Sequence, residues 1–474
     1  MFEDYLEKNI LRQLFLCDQF YNKKEIDIDV LSKLLQVCKT TLLNDIKDLK
    51  KELEPEIIYT QREKNRYFLY FAPDIPRFLL MQKLARSSLF LKTCQLYLEK
   101  EPNYIQLTET EYISVSKAYS LKKQVLAYFE DCGIKIQNGS PKFTEIERRL
   151  LLLNITYRTG TLATPILPKG YLAAINDFIN KITYKSGRIY DKENQEILRM
   201  GFLIGYLYQA KFPLMINIDF MTELKKRPSY HYVTEVWKQS KLKDYYQENE
   251  VYFILILFNL CDYGFNSYQA VEEDFYRLHQ VFIDNNHEIK ELITQFEVYF
   301  NRTFVGNKAF ERALFRLMRS AWDNYQLFMP EKFSILTPKQ QALLNEIQPL
   351  FKHWLDQLPY SSLRINSNCM NTFVVKLSAI LRIDKTQLHI CIVTNSDIKY
   401  LIYREALEAV ATLDIKIEPT IHSQLNDELK DFAKKENHRI LCERTLYTPE
   451  ADEIPTIIPV SVDNLEKSII WALK

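Results

Sequence analysis

LSKLLQVCKTTLLNDIKDLKKEL, running from Leu31 to Leu53, carries two apolar stripes at helical spacing, separated by a short break. Leu31, Leu34 and Leu35 share a face before the break, and Leu42, Ile46, Leu49 and Leu53 share one after it. Intervals of three and four residues return a side chain to the same side of a helix. The second helix therefore has a buried back. Its front carries Thr40, Asn44, Lys47 and Lys51, with Leu43 on the flank and Lys39 in the first turn. Such a front suits a DNA groove, where Asn reads adenine, Lys reads guanine, and Thr or Leu meets a thymine methyl. The plain alternative is a solvated surface helix.

The flanking sequence favours the first description. An amphipathic helix is expected over residues 3–21, with Leu6, Ile10, Leu14 and Cys17 or Phe20 inward, and Asp27 or Asp29 can cap the helix that follows. After Pro55, IIYTQREKNRYFLYF holds two strand-like runs around a polar turn. Three helices followed by a hairpin is the order of a winged helix-turn-helix. The hairpin tip offers Arg62, Lys64 and Arg66 for phosphate contact. Residues 74–100 read as one long helical stretch opened by Pro76. A weaker version of the motif then follows in YISVSKAYSLKKQVLAYFEDCGIKI, with Tyr119, Lys122 and Lys123 on or near its outer face and Gly133 as a helix terminator.

A chain of 474 residues exceeds a single core. Its 62 Lys and Arg against 61 Asp and Glu leave a net charge of +1, so DNA contact has to come from local charge segregation. The 9 glycines, none after Gly306, fit helices better than turn-rich sheets. No apolar run reaches the ~18 residues of a membrane span, and the acidic, amphipathic N-terminus does not resemble a signal peptide. The 8 cysteines are scattered without CxxC pairs, as expected of reduced thiols in a cytoplasmic protein. His231, His279, His287 and His353 lack metal spacing. Neither a metal nor a cofactor is expected.

From Phe143 to about Arg382 one amphipathic or apolar helix follows another, among them EIERRLLLLNITYR, ENQEILRMGFLIGYLYQA and KAFERALFRLMRSAWDNYQLF. Two helical bundles are expected, with a break near Ser267 to Glu288. The last ninety residues alternate strands and helices, beginning with LHICIVT, which implies a small parallel α/β domain.

This order of elements resembles the Mga/AtxA family of Gram-positive global and virulence transcription regulators. The most specific match is VCKTTLLNDIKDL against the family's Val-Ser-x-x-Thr-Leu-x-x-Asp-Ile-x-x-Leu pattern, with Cys38 in the place of the capping Ser, which weakens the cap. KFTEIERRLLLL stands where a Gly-x-Glu-x-x-Ile-Arg pattern is usual, without the Gly. The resemblance implies a mainly α chain of five parts. These are a winged helix-turn-helix at 1–72, a second helix-turn-helix at 73–160, PRD-like bundles at 161–280 and 281–385, and an enzyme IIB-like α/β domain at 386–474. It also implies double-stranded DNA as partner, a homodimer formed through the C-terminal domain, and phosphotransferase-system proteins as possible partners.

The departures bear on mechanism. ENQEILRMGFLIGYL and NTFVVKLSAILRI lack the histidine that a phosphorylated regulation domain carries, and His231 and His279 are the nearest substitutes. The loop after LHICIVT is TNSDIKY, without a nucleophilic Cys, and Cys391 lies inside the strand. A non-catalytic copy is expected. Walker, HExxH, GxSxG and dinucleotide motifs are absent, so an enzyme is not expected. Two alternatives stand beside the regulator: a helical scaffold, and a component of a phosphorelay.

Overall fold

The computed structural model describes residues 2–100, 104–162, 167–216, 218–319, 325–331, 335–358, 364–384, 388–410, 415–435, 437–448, 451 and 453–473. Among them are 21 α-helices and a four-stranded parallel sheet near the C-terminus, so the protein is mainly helical. The chain divides into two compact units, Met1–Val375 and Lys376–Lys474. The expected boundary between residues 385 and 386 lies outside the described residues.

The first unit opens with a 3-10 turn, Phe2–Asp4, before helix α1 (Lys8–Lys23), so the helix expected from residue 3 begins five residues later. Strand β1 (Glu25–Asp27), α2 (Ile28–Leu34), α3 (Lys39–Glu52), β2 (Ile57–Glu63) and β3 (Arg66–Phe71) follow. Asp27 caps α2, accepting from the N–H groups of Asp29 and Val30. The sheet order β1-β3-β2 is antiparallel. Leu42, Ile46, Leu49 and Leu53 are buried against Phe15, Leu16, Phe20, Leu31 and Leu69. The apolar stripe of the opening stretch is thus the floor of a small core.

The single helix expected over 74–100 is broken. Pro76 stands at the N-cap position just outside α4 (Arg77–Ala85) rather than in its first turn, and α5 (Leu89–Glu99) starts afresh. The break at 86–88 has a local cause. Ser88 caps α5 by accepting the Leu91 N–H, and it donates to Glu7, whose other oxygen accepts the Phe90 N–H. Helices α6 (Tyr104–Glu111) and α7 (Val115–Asp131) come next, then a hairpin of β4 (Lys135–Gln137) and β5 (Ser140–Lys142) that the sequence did not announce. Gly133 follows α7 with φ +87°, a conformation that glycine adopts without steric cost.

Helix α8 (Glu145–Thr159) leads into the first bundle with α9 (Tyr171–Ser186), α10 (Lys192–Tyr208), α11 (Ile218–Lys225), α12 (Pro228–Gln239) and α13 (Glu250–Leu260). Residues Leu150 to Thr156 of α8 are all buried. A Cβ at Gly201 would run into Leu257, so α10 and α13 cross closely there. Arg149 is fully buried. It donates to Glu145 at 2.8 Å, to the Phe212 carbonyl at 2.9 Å and to both oxygens of Glu250 at 2.5 and 3.1 Å.

The expected break at Ser267 to Glu288 is filled by α14 (Tyr268–His279) and a π-helical turn, Gln280–Asp284. Then come α15 (His287–Phe300), α16 (Lys308–Arg319), α17 (Pro338–Gln357) and α18 (Ser367–Asp384). The helix expected over 308–328 is realised as α16 and a 3-10 turn, Tyr325–Phe328, while 320–324 lie outside the described residues. Phe296 centres an aromatic cluster with Phe310, Phe351 and Phe373 at centroid separations of 5.5 to 6.0 Å.

The second unit begins within α18, at Lys376, and holds β6 (Leu388–Val393), α19 (Asp397–Val410), β7 (Ile415–Ile417), α20 (Asp427–Ala433), β8 (His438–Glu443), β9 (Ile457–Val460) and α21 (Leu465–Ala472). The parallel strand order is β7-β6-β8-β9. Ile390 and Ile392 face α19 and α21, while Cys391 and Val393 join Leu429 and Ala433 of α20 on the other side. Both faces are covered, as parallel sheets require. Among the described residues no helix is long and apolar enough to cross a membrane.

Removing one partner of a buried ion pair leaves the other charge without compensation. Glu250→Ala should therefore destabilise the first unit by about 3–5 kcal/mol in urea unfolding. Arg149→Met combined with Glu250→Leu should recover most of that loss.

Candidate nucleic-acid interface

Helix α3 presents its front to solvent. Lys39, Thr40, Asn44, Lys47 and Lys51 are exposed and Leu43 is half-buried. The one buried polar residue on its back, Asp45, is held by Arg12 of α1 through Nε at 2.6 Å and Nη2 at 3.0 Å. This bidentate pair fixes α3 about its own axis as well as in position.

Wing and helix are tied together by Asp29. One of its oxygens accepts from the Asn65 amide at 2.8 Å, and the other lies 2.5 Å from the Lys39 ammonium. The Ile28 N–H also donates to the Asn65 carbonyl at 2.8 Å. Lys64 occupies the wing turn with φ +50°, and Arg62, Lys64 and Arg66 are all exposed. Lys39 is thus engaged with Asp29, which sets it apart from Lys47 and Lys51.

Cys38 caps α3 in spite of being sulfur. Its Sγ accepts the Thr41 N–H at 3.4 Å and lies 3.0 Å from the Thr41 hydroxyl. The side-chain and backbone hydrogen bonds from Thr41 hold this exposed thiol below its ordinary pKa.

The second motif repeats this geometry at a constant offset of 76 residues. Gln36 and Tyr112 both take positive φ, +54° and +50°, two residues before the caps Cys38 and Ser114. Each cap accepts from the N–H three residues on, Thr41 or Lys117. The buried residues Leu42 and Leu49 correspond to Ala118 and Val125. On the outer face, Thr40, Leu43, Asn44 and Lys47 correspond to Ser116, Tyr119, Ser120 and Lys123, all four exposed in α7. Lys122 corresponds to the inward Ile46 and is half-buried at the flank, so it does not share the face of Tyr119 and Lys123. The hairpin after α7 places Lys135 opposite Lys142, both exposed.

Ser116, Ser120 and this hairpin were not singled out from sequence. The pair Val37-Cys38 repeated as Ile113-Ser114 was the available signal.

Cys391 is buried, and burial pushes its thiol up to about 12. At the C-terminal ends of β6 and β8, the Thr394 hydroxyl donates to Glu443 at 2.7 Å, and Lys399 pairs with the same carboxylate. Burial alone would raise Glu443, but the bonds from Lys399 and Thr394 hold it below the usual range. His279 Nδ1 lies 2.7 Å from Glu311, and His231 is exposed on α12. Among the described residues no group of three or more His, Cys, Asp or Glu is placed to hold a metal. No family model matches the chain, and no curated protein matches it.

An oxygen accepts a backbone N–H more strongly than sulfur does at a helix cap. Cys38→Ser should raise stability by roughly 0.5–1 kcal/mol and Cys38→Ala should lower it by a similar amount, both read from thermal unfolding.

Proposed function

We propose that the protein is a transcription regulator of the Mga/AtxA type that binds double-stranded DNA through α3 and its wing, with α7 as a second reader. The observation that carries this is the division of α3. Leu42, Ile46 and Leu49 are fully buried on one side, and Thr40, Asn44, Lys47 and Lys51 are exposed on the other beside a wing of three exposed cations. In this motif the N-terminal part of the second helix meets base edges. Thr40, Leu43, Asn44 and Lys47 lie there and read sequence. Lys51, a turn further on, and Arg62, Lys64 and Arg66 contact phosphate. Tyr119 and Lys123 take the matching positions on α7.

The two bundles then act as PRD-like regulatory domains, and the C-terminal α/β domain is a non-catalytic IIB-like module that pairs two copies. One feature of the second unit supports pairing. Ile398 and Leu401 of α19 and Trp471 of the adjacent α21 are left in solvent, at 65%, 53% and 62% exposure. Apolar side chains of this size on neighbouring helices suit a partner surface, and a two-fold dimer is the commonest assembly. Against a phosphorelay role stand the buried Cys391 and the occupation of the adjacent loop by Glu443.

Asn44→Ala or Lys47→Ala should cost about 1–3 kcal/mol on the best site and relax its sequence preference. Lys64→Ala should weaken all sequences alike and reduce the salt slope by roughly one counterion. Titrations on specific and scrambled duplexes at several salt concentrations separate the two effects. Loss of specific binding on substitution of Lys123 but not of Asn44 or Lys47 would make α7 the principal reader.

Trp471→Glu should lower the particle mass in sedimentation while leaving the unfolding midpoint of the first unit unchanged. An unaltered mass would remove α21 from the pairing surface.

A further inference from the structure

We infer that the first unit carries a binding site for a small uncharged molecule with a ring-sized apolar body and one amide-like head. The site is a partly enclosed cavity of about 240 Å³ lined by residues of α1, α4, α8, α10 and the turn at Tyr325–Phe328. A cavity of about 150 Å³ lined by aliphatic and aromatic side chains is large enough to hold benzene. This one has room for such a ring and one polar group more. Its apolar walls come from Phe2, Leu6, Phe15, Phe78, Met81 and Met329.

The polar groups in the wall define the head. Most are already satisfied. Arg77 spans Glu193, at 2.8 and 2.9 Å, and Asp18, at 3.2 Å. Arg316 is paired with Asp262, and Asn194 is bonded through both ends of its amide.

Two groups retain capacity, and both converge on Glu331. Arg158 donates to Asn154 at 2.7 Å and to the Glu331 carbonyl at 3.0 Å, and its plane lies 4.3 Å from the centre of the Phe2 ring. Among the described residues Arg158 has uncharged partners only, and its Nη1 edge makes no hydrogen bond. Gln326 donates to the Glu331 carboxylate, but its own Oε1 accepts nothing, in a residue more than nine-tenths buried. An unused buried acceptor carries a cost of ~1–3 kcal/mol that a ligand donor removes. A donor and an acceptor tied to the same residue match a group that is itself both, as a primary amide is.

The charges select against ions. The carboxylates of Asp18, Glu193 and Asp262 are neutralised by Arg77 and Arg316, which leaves Asp191, bonded to Asn194, to oppose an anion, while the guanidinium of Arg158 beside the head position opposes a cation. Burial and the neighbouring Asp262 hold the Glu331 carboxyl above its usual range, which makes that corner less charged still.

Three isosteric probes separate the possibilities: benzamide, benzoate and benzamidine, titrated into the full chain by calorimetry. Benzamide should bind in the submillimolar range, and the two ions should bind at least about tenfold more weakly, a difference of ~1.4 kcal/mol. Gln326→Leu should weaken benzamide by about tenfold, titrated below the variant's own unfolding midpoint because the substitution also removes the bond to the buried Glu331 carboxylate. Met81→Trp, or Ala85→Leu where the larger side chain is not accommodated, should abolish binding by filling the cavity. Absence of benzamide binding to millimolar concentration, tighter binding of either ion, or unchanged binding in the filled variants would overturn the proposal. None of these readouts requires DNA, so the outcome is independent of the proposed function.

Discussion

One helix serves two hydrophobic cores. The C-terminal half of α1 supplies Phe15, Leu16 and Phe20 to the first winged motif, while Ile10 and the segment before it, with Phe2 and Leu6, enter the core that holds Phe90, Val125 and Phe129. Polar bonds fix the same junction. Tyr5 donates to Asp131, Gln124 donates to the Tyr5 carbonyl at 2.6 Å, and Glu7 organises the start of α5. Because Arg12 of this helix also grips Asp45 of α3, the position of the first outer face is defined relative to the second motif by a single rigid rod. Long apolar contacts and bidentate ion pairs of this kind resist rotation as well as translation.

A second constraint lies one layer deeper. Helix α8 leaves the second motif and becomes a core helix of the first bundle, with Leu150 to Thr156 all buried and Arg149 bonded to two carboxylates and a carbonyl. A guanidinium with no exposure persists because each of its directions is answered, and hydrophobic burial alone would not specify that arrangement. The cavity beside α1 and α8 sits where the motifs and the bundle meet, so its walls belong to elements that are each anchored elsewhere.

Periodicity carried most of the fold. The stripe of Leu42, Ile46, Leu49 and Leu53, the run of apolar helices, and the alternation of strands and helices after Leu388 are all signals of local geometry, and local geometry follows from spacing. What spacing does not carry is tertiary. The break at residues 86–88 depends on the Glu7 carboxylate, some eighty positions away. The hairpin Lys135–Lys142 is too short for an alternation pattern. Arg149 reads as an ordinary surface charge in EIERRLLLL until Glu250 is placed against it. At the candidate interface the exposed face of α3 was legible because its polar residues recur opposite an apolar stripe. The pairing of Lys39 with Asp29 was not, because it needs the turn that brings α2 beside α3. Cys38 was expected to weaken its cap, and the structure shows a thiol can still accept the Thr41 N–H when the backbone is already in place.

The repeat of the motif at an offset of 76 residues has a geometric consequence. The two outer faces are homologous in position but different in chemistry: Thr40, Asn44 and Lys47 on one, Ser116, Ser120 and Lys123 on the other. Held in one compact unit by a shared helix, they form an ordered pair with a head and a tail. Under the proposed function a single chain lies on its duplex as an arrow. It distinguishes a site from the same site inverted, and two copies joined at the C-terminus place two arrows whose relative sense is written into the promoter.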